Sequence, residues 1–186
     1  MITPTIETER LILKRGTMDD YIKVYEYDFT KLRNINGEFE YVKLEPEKLA
    51  GFDTYADEEE NCLDFIIFLK ENMLPIGNIV YDRYEKENKS LEISYNLHPN
   101  HWKKGYMTES VLASMNFIFK NLDIENIRCG YAKENINSRL LNEKIGFQCI
   151  GNHTEHYKKV NKDIIEVDTI MSKEDFELKY GNCKKR

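Results

Sequence analysis

Apolar and polar residues alternate along several short stretches of the chain, and this pattern predicts β-strands. The clearest case is residues 91–97, where Leu, Ile, Tyr and Leu alternate with Glu, Ser and Asn. Two apolar runs, at 62–70 and 76–84, are joined by five residues and predict a hairpin before this strand. Further strands are predicted at residues 10–14, 127–132, 147–150 and 164–171.

A period near 3.6 residues predicts helices between some of these strands. Residues 105–120 have one apolar face. It is formed by Val111, Leu112, Met115, Ile118 and Phe119. A helix at 137–145 is closed by Gly146, because glycine most easily takes the left-handed conformation at a helix end. Thr17, followed by two aspartates and an apolar stretch, predicts a helix start, and residues 29–57 predict a short helix and a loop.

The order of these elements predicts the fold class. Antiparallel hairpins combined with two crossover helices indicate an α/β fold with a mixed sheet. The length of 186 residues predicts one domain over residues 1–186, with a frayed basic tail from about residue 181. At this length about 70% of the unfolded surface can be buried, so the fold needs no disulfide or metal ion.

Composition and charge argue against several classes of function. The net charge of −6 argues against a nucleic-acid partner. The acid is concentrated in residues 57–60 and Asp64, which we interpret as a solvated loop, with binding of cationic ligands as the alternative. No apolar run approaches ~18 residues, so we expect no membrane span. Residues 1–15 lack a signal-peptide pattern, which predicts a cytoplasmic protein.

The cysteines and histidines show no metal-binding pattern. Cys62, Cys129 and Cys149 lie in apolar runs, where buried inert thiols are expected. His153 and His156 are three residues apart in a predicted strand, which places them on opposite faces. We therefore expect no metal site.

A candidate anion-binding segment lies between the strand at 91–97 and the helix at 105–120. Its sequence over residues 101–110 is H-W-K-K-G-Y-M-T-E-S. Gly105 lets the backbone approach a ligand closely, and the N–H groups of the first helical turn point out of the positive end of the helix dipole. Lys103 and Lys104 add positive charge. The arrangement suits a pyrophosphate, although junctions of this composition are common.

A second segment, N-I-N-S-R-L-L-N-E-K-I-G-F at 135–147, predicts by itself only an amphipathic helix capped by Asn135 or Asn137. Together the two segments resemble W-x-x-G-Y-x-T-E and N-x-x-S-x-x-x-x-E-K-x-G-F. These are motifs of the GNAT superfamily of N-acetyltransferases, in the form of its RimJ/RimL-like branch, which acts on ribosomal-protein N-termini. E-T-E-R-L-I-L-K-R and L-E-I-S-Y-N-L-H-P resemble two strands of that branch, and Asp168 lies where it often has an Asp. The resemblance runs from about residue 7 to residue 172.

The resemblance implies a GNAT-like acyl-CoA N-acyltransferase fold, with a central, mostly antiparallel sheet and flanking helices. The family's fourth and fifth strands, here residues 91–97 and 127–132, part near their ends. The pantetheine arm of the cosubstrate acetyl-CoA would lie there against Leu97, His98 and Pro99. The thioester would lie near Asn135 and Ser138. The pyrophosphate would meet the loop residues Trp102, Lys103, Lys104, Gly105, Tyr106, Met107 and Thr108.

The implied reaction is direct attack of a neutral amine on the thioester in a ternary complex. A peptide α-amine is roughly a tenth neutral at pH 7, whereas a lysine-like amine is neutral in about one molecule in a few thousand. Glu92 is our candidate base, with a surface carboxylate as the alternative. Many GNAT enzymes have a tyrosine acid seven residues after the motif Asn, but here that residue is Asn142. We therefore assign the proton-donor or thiolate-stabilising role to Ser138, beside Asn135.

Other functions stay open at this level. The acceptor is predicted to be a peptide N-terminus or a small-molecule amine, and a polyamine or aminoglycoside acetyltransferase is chemically the same enzyme with another acceptor. A non-catalytic acyl-CoA-binding regulatory module is the alternative from another class, because Asn142 replaces the tyrosine. The chain is expected to be a monomer or a homodimer, without a nucleic-acid or membrane partner.

Overall fold

The computed structural model describes residues 1–25, 62–157 and 161–181. Within these residues the chain forms eight strands, four helices and a short 3₁₀ turn at Pro99–His101. The strands are β1 (Ile6–Glu7), β2 (Leu11–Lys14), β3 (Leu63–Leu69), β4 (Pro75–Glu85), β5 (Ser90–Leu97), β6 (Asn126–Ala132), β7 (Gln148–Tyr157) and β8 (Lys162–Ser172). The helices are α1 (Met18–Tyr25), α2 (Tyr106–Asn121), α3 (Ile136–Ile145) and α4 (Lys173–Tyr180).

The strands form one sheet in the order β1-β2-β3-β4-β5-β6-β8-β7. β5 and β6 pair in parallel, whereas β1–β2, β2–β3, β3–β4, β6–β8 and β7–β8 are antiparallel pairs. The predicted α/β class with a mixed, mostly antiparallel sheet is confirmed.

The parting of two central strands is visible in their register. β5 pairs with β6 from Ser90, opposite Asn126, to Glu92, opposite Arg128. Beyond Glu92 the two strands, both fully described, make no further pairs. The splayed strands implied by the family resemblance are therefore present.

The chain packs as two compact units. Unit 1 comprises Met1–Asp82 and Ser94–Ser114, and unit 2 comprises Arg83–Ile93 and Met115–Arg186. In unit 1 a buried cluster joins α1 to the sheet through Tyr21, Val24, Ile66 and Phe68, with Ile12 against it. In unit 2 the rings of Phe119 on α2 and Phe176 on α4 lie 5.3 Å apart between centroids. The prediction of a single domain stays a prediction.

Local sequence signals explain several of these elements. Four of the five apolar residues predicted on one face of α2 are buried, and Leu112 is half-buried. Gly146 ends α3 with φ 104°, the left-handed conformation expected there. Thr17 lies just before α1 and fixes its start, because its hydroxyl and its backbone N–H donate hydrogen bonds to the Asp20 carboxylate at 2.8 and 2.9 Å.

The prediction for β7 was too short, ending at residue 150. β7 is the edge strand, and residues 152–156 are exposed, so no buried face imposes an apolar alternation. The helix α4 was missed because Phe176 is its one buried residue among those described. Cys62 and Cys129 are buried as expected, but Cys149 is exposed at a bulge in β7, so that prediction was wrong.

Asp64 also differs from its prediction, since it does not belong to a solvated acidic loop. It lies in β3 with 5% of its surface exposed and accepts a hydrogen bond from the Tyr21 hydroxyl. The rest of that acidic run, the predicted helix and loop at 29–57, and the tail after residue 181 lie outside the described residues. In the ranges 1–25, 62–157 and 161–181, every helix is too short or too polar to cross a membrane.

Candidate cofactor loop and acceptor cleft

The loop of residues 102–105, which we call the cofactor loop, enters α2 through left-handed backbone. Lys103 has φ 61° and Gly105 has φ 80°. Glycine adopts this conformation without strain, whereas lysine does so at a small cost. The first-turn N–H groups of a helix have no acceptor inside the helix, and the dipole makes that end positive. The beginning of α2 at Tyr106 therefore has the backbone that an anion requires.

Trp102 fixes this loop to the end of β5. Its indole N–H donates to the carbonyl oxygen of Leu97 at 2.6 Å, and its backbone N–H donates to the carbonyl oxygen of Pro99 at 3.2 Å. The backbone N–H of His98 donates to Ile76 on β4 at 2.8 Å. Both N–H groups of Trp102 therefore bond inside the protein and fix the start of the loop to the end of β5.

The loop itself carries the positive charges of Lys103 and Lys104. The His101 ring lies 5.8 Å from that of His98 and 6.2 Å from that of Tyr106. Burial lowers the pKa of His101, and the charges of Lys104 and His98 lower it further. Since the ordinary pKa of histidine is 6.5, this lowered pKa leaves His101 mostly neutral at pH 7.

The beginning of α3 shows which asparagine caps the helix. Asn135 is the N-cap, because its Oδ1 accepts a hydrogen bond from the Ser138 N–H at 3.1 Å. One turn later the amide of Asn142 donates to the Ser138 carbonyl oxygen at 2.9 Å, and its Oδ1 lies 2.9 Å from the Thr169 hydroxyl. Asn142 is 2% exposed. The residue in the tyrosine position thus ties α3 to β8 and has no acidic proton to donate.

One face of the sheet in unit 2 forms an open cleft of about 250 Å³. The register places Glu92 opposite Arg128 and His153 opposite Glu166, so these side chains share that face. The cleft is lined by Arg83, Glu92, Arg128, Cys129, Gly130, Ile150, His153, Glu155, Glu166, Asp168 and Thr169. The predicted base Glu92 therefore lies in a cleft, and its side chain is 27% exposed.

Negative charge predominates in this cleft. Four carboxylates face two guanidinium groups, an excess of two negative charges while His153 is neutral. The ring nitrogen Nδ1 of His153 lies 3.0 Å from a carboxylate oxygen of Asp168. This hydrogen bond raises the pKa of His153, and the charges of Asp168, Glu166 and Glu155 raise it further. Such a surface attracts cations.

The same strands hold the one group among the described residues that could offer three atoms to a metal ion. His153, Glu155 and Glu166 bring ligand atoms within 4.8 Å of one another. His153 and Glu155 are exposed, as carboxylates and histidines often are without an ion. The expectation of no metal site stays a prediction.

Similarity to known proteins decides the family. Residues 10–148 match the sequence profile of the acetyltransferase (GNAT) domain. The chain belongs to the GNAT family. The N-acetyltransferase p20 of Bacillus licheniformis, named as uncharacterized, is 29% identical over 167 residues, which cover 88% of this chain and 92% of that protein. The protein is thus an acetyltransferase of the GNAT type.

Two solved structures show the same GNAT fold. The ribosomal-protein-S5-alanine acetyltransferase of Vibrio fischeri superposes with a TM-score of 0.73 at 17% identity, over 93% of this chain and 98% of that one. The Microcin C7 self-immunity acetyltransferase MccE, in complex with acetyl-CoA and AMP, gives 0.73 at 14% identity, over 89% and 93%. At these identities the likeness extends to the fold alone.

The residues predicted for the GNAT site fall into two groups. Those of the cofactor loop and the end of β5, from Leu97 to Thr108, belong to unit 1, whereas Glu92, Asn135 and Ser138 belong to unit 2. Sequence reasoning missed the cleft residues Arg83, His153, Glu155 and Glu166. Three of them lie on the polar β7–β8 pair, where the available signal was the alternation of charged residues in the last predicted strand.

Proposed function

We propose that this GNAT protein transfers an acetyl group from acetyl-CoA to a primary amine. The observation that carries the proposal is the left-handed backbone of Lys103 and Gly105 immediately before α2, at the positions of the family motif. Such a loop directs successive N–H groups towards an anion, which suits the pyrophosphate of the cosubstrate. A Cβ on Gly105 would contact only the Arg10 guanidinium, at 3.4 Å, so glycine is favoured there by its φ of 80° and not by lack of space. The acetyl-CoA in the MccE complex supports this donor.

The residues proposed to hold acetyl-CoA form a continuous stretch. The backbone of Lys103, Lys104, Gly105, Tyr106, Met107 and Thr108 would bind the pyrophosphate. Leu97, His98 and Pro99 would bind the pantetheine arm, since they follow the last β5–β6 pair at Glu92. Trp102 would act indirectly, through its bonds to Leu97 and Pro99.

The cleft around Glu92 supports an amine as the acceptor. An amine arrives mostly as a cation at pH 7, and the excess of carboxylates in the cleft attracts it. Attack requires the neutral amine, so a proton must leave before the new C–N bond forms. Glu92 is proposed to accept that proton, directly or through a water molecule.

The departing thiolate needs stabilisation, and Ser138 is proposed to provide it. The tyrosine common in the family is replaced by Asn142, which is buried and bonded to Ser138 and Thr169. Asn135 supports Ser138 by accepting a hydrogen bond from its backbone N–H. The serine hydroxyl is thus held on the first turn of a capped helix.

We further propose an acceptor of the RimJ/RimL type, the α-amine of a peptide, with a small-molecule amine as the second candidate. The matching motifs and the fold shared with a ribosomal-protein acetyltransferase support the first. The negative cleft supports either, because both acceptors are cations. An α-amine has the lower pKa and needs less help from a base.

The test measures acetyl-CoA consumption with a panel of peptide, polyamine and aminoglycoside amines, alongside CoA binding by calorimetry. We expect CoA binding and turnover with at least one class of amine. CoA binding without turnover on any amine would favour the non-catalytic acyl-CoA-binding module. Absence of CoA binding would overturn the proposal.

A further inference from the structure

Glu109, the last residue of the W-x-x-G-Y-x-T-E motif, faces the turn between β1 and β2. One carboxylate oxygen, Oε1, accepts hydrogen bonds from the Thr8 hydroxyl at 2.6 Å and from the Arg10 backbone N–H at 3.0 Å. The other, Oε2, accepts from Arg10 Nε at 2.7 Å and lies 2.6 Å from Arg10 Nη2. Four donors from Thr8 and Arg10 therefore fix the Glu109 carboxylate, although these two residues precede Glu109 by about a hundred positions in the sequence.

Arg10 in turn holds the cofactor loop. Its Nη1 donates to the carbonyl oxygen of Lys104 at 3.0 Å. Its guanidinium carbon lies 4.6 Å from the centre of the Tyr106 ring, within reach of a cation–π contact. The Lys104 carbonyl lies between the two left-handed residues, Lys103 and Gly105. Arg10 thus contacts the loop between its two left-handed residues.

The carboxylate stays ionised in this position. Burial alone would raise the pKa of Glu109, but hydrogen bonds from Thr8 and Arg10, with the charge of Arg10, hold it below its ordinary value. The Glu109 side chain is 19% exposed and that of Arg10 is 44% exposed, so the carboxylate is sheltered while the guanidinium stays partly in solvent. The two-point geometry requires the planar guanidinium, which lysine lacks.

We infer that Arg10 and Glu109 form a clamp that fixes the cofactor loop with its N–H groups directed at the pyrophosphate. Both are positioning residues in this account. The competing role for Arg10 is that of a direct phosphate ligand, held by Glu109. The inference rests on the proposed function only for the identity of the anion, because the order of the loop can be measured without any ligand.

The two roles predict opposite effects of Glu109→Gln. If Arg10 and Glu109 form a clamp, removing the carboxylate charge loosens the loop and weakens CoA binding. If Arg10 binds phosphate directly, the same change frees its guanidinium and strengthens CoA binding. Arg10→Lys keeps the charge and loses the two-point contact, so a clamp predicts a loss here too. We therefore expect Kd for CoA to rise about tenfold or more in either variant.

A matched control lies on the same hairpin. Glu7 pairs with Lys70 at 2.9 Å on the surface, without contact to the cofactor loop. Glu7→Gln removes one carboxylate charge from β1 just as Glu109→Gln removes one from α2. We expect its Kd for CoA and its loop exchange to match those of the wild type.

Three measurements test the clamp. In the ligand-free protein, the amide hydrogens of residues 103–108 should exchange faster in Glu109→Gln and Arg10→Lys than in the wild type. The measurement is made below the midpoint of thermal unfolding of each variant, so that the protein is folded. Kd for CoA should rise. Turnover of acetylpantetheine, which has no pyrophosphate, should stay at the wild-type level.

Tighter CoA binding by Glu109→Gln would overturn the inference in favour of a phosphate-binding Arg10. Unchanged exchange at residues 103–108 would overturn it as well. Equal losses with acetyl-CoA and acetylpantetheine would show a general structural role and no specific positioning. If the wild type bound no CoA, the proposed function would fail, while the exchange measurement would still decide whether the clamp orders the loop.

Discussion

The Arg83 guanidinium donates a hydrogen bond to the Glu92 carboxylate, with 2.9 Å between Nη1 and Oε1. Both side chains line the cleft in unit 2. The Arg83 side chain is 71% exposed, so the pair contributes little to the free energy of unfolding. Its importance lies in orientation. One carboxylate oxygen is committed to Arg83, which leaves Oε2 as the atom that would take a proton from the acceptor amine.

If Glu92 is the base, Glu92→Gln should lower kcat/KM slightly for a peptide α-amine and far more for an alkyl amine. The two amines differ by ~2.5 pKa units, which corresponds to roughly 3.4 kcal/mol of deprotonation. The measurement is kcat/KM against pH for both amines. In the variant, the ascending limb should move towards the pKa of the amine itself.

Arg83→Gln is the control, since it frees the carboxylate without removing it. It should retain the difference between the two amines. Equal losses for both amines in Glu92→Gln, with an unshifted limb, would mean that Glu92 attracts the acceptor by charge and accepts no proton. Wild-type activity of Glu92→Gln on both amines would mean that Glu92 is a surface carboxylate.

Gly105→Val should weaken acetyl-CoA binding more than Lys103→Ala does. Gly105 has φ 80°, which a β-branched residue adopts only with strain, and its Cβ would meet Arg10. Lys103→Ala removes one charge and leaves the backbone as it is. Calorimetry with CoA measures both. Gly151→Val, where a Cβ would meet nothing within 4 Å, controls for the substitution itself. Wild-type affinity in Gly105→Val would disprove the assignment of the pyrophosphate to this loop.

Ser138→Ala should lower kcat with little change in Kd for CoA, because a proton donor acts mainly on the transition state. Groups of this kind contribute typically ~10²–10⁴-fold. The helix cap survives the change, since the hydrogen bond to Asn135 comes from the Ser138 backbone. Single-turnover kinetics with a known acceptor would measure the effect.

Variants of the helix cap at Asn135 are the control for Ser138→Ala. Asn135→Ala should lower the free energy of unfolding by about 1 kcal/mol, and Asn135→Ser should retain most of it. A Ser138→Ala protein with full kcat would show that the thiolate is protonated by another donor, such as water.

The sequence predicted those elements in which one face is buried. Leu91 and Ile93 are buried while Glu92 and Ser94 are not, so the apolar and polar residues alternate in the sequence and predict the strand. The outer half of β7 is exposed on both faces, so its sequence shows no alternation of apolar and polar residues. Contacts between distant segments were also invisible. Nothing in the local pattern around Arg10 indicates that it meets Glu109, because that contact depends on the packing of the β1–β2 turn against the start of α2.

Asp64 offers a test of electrostatics away from the site. Burial raises the pKa of Asp64 above its ordinary value of 3.8, against the opposing effects of the Tyr21 hydrogen bond and the Arg15 charge. The folded state therefore binds this proton more tightly than the unfolded state does. The resulting stabilisation is complete below about pH 3.8 and is lost as the pH rises through the folded-state pKa.

Asp64→Asn cannot titrate, so its free energy of unfolding relative to the wild type should increase as the pH rises from 3.8 and then level off. Other carboxylates titrate in the same range, but they do so in both proteins and cancel in the difference. Urea unfolding at a series of pH values measures it. Tyr21→Phe removes the hydrogen bond that favours the ionised form, so its total loss of stability with rising pH should be larger than that of the wild type. The absolute difference at one pH is a weaker test, because Oδ1 of Asp64 lacks a hydrogen-bond partner and an amide NH₂ there would lack one too. A difference that stays constant with pH would mean that Arg15 and Tyr21 cancel the effect of burial. A difference that falls with rising pH would mean that they outweigh burial and that folding favours the Asp64 anion.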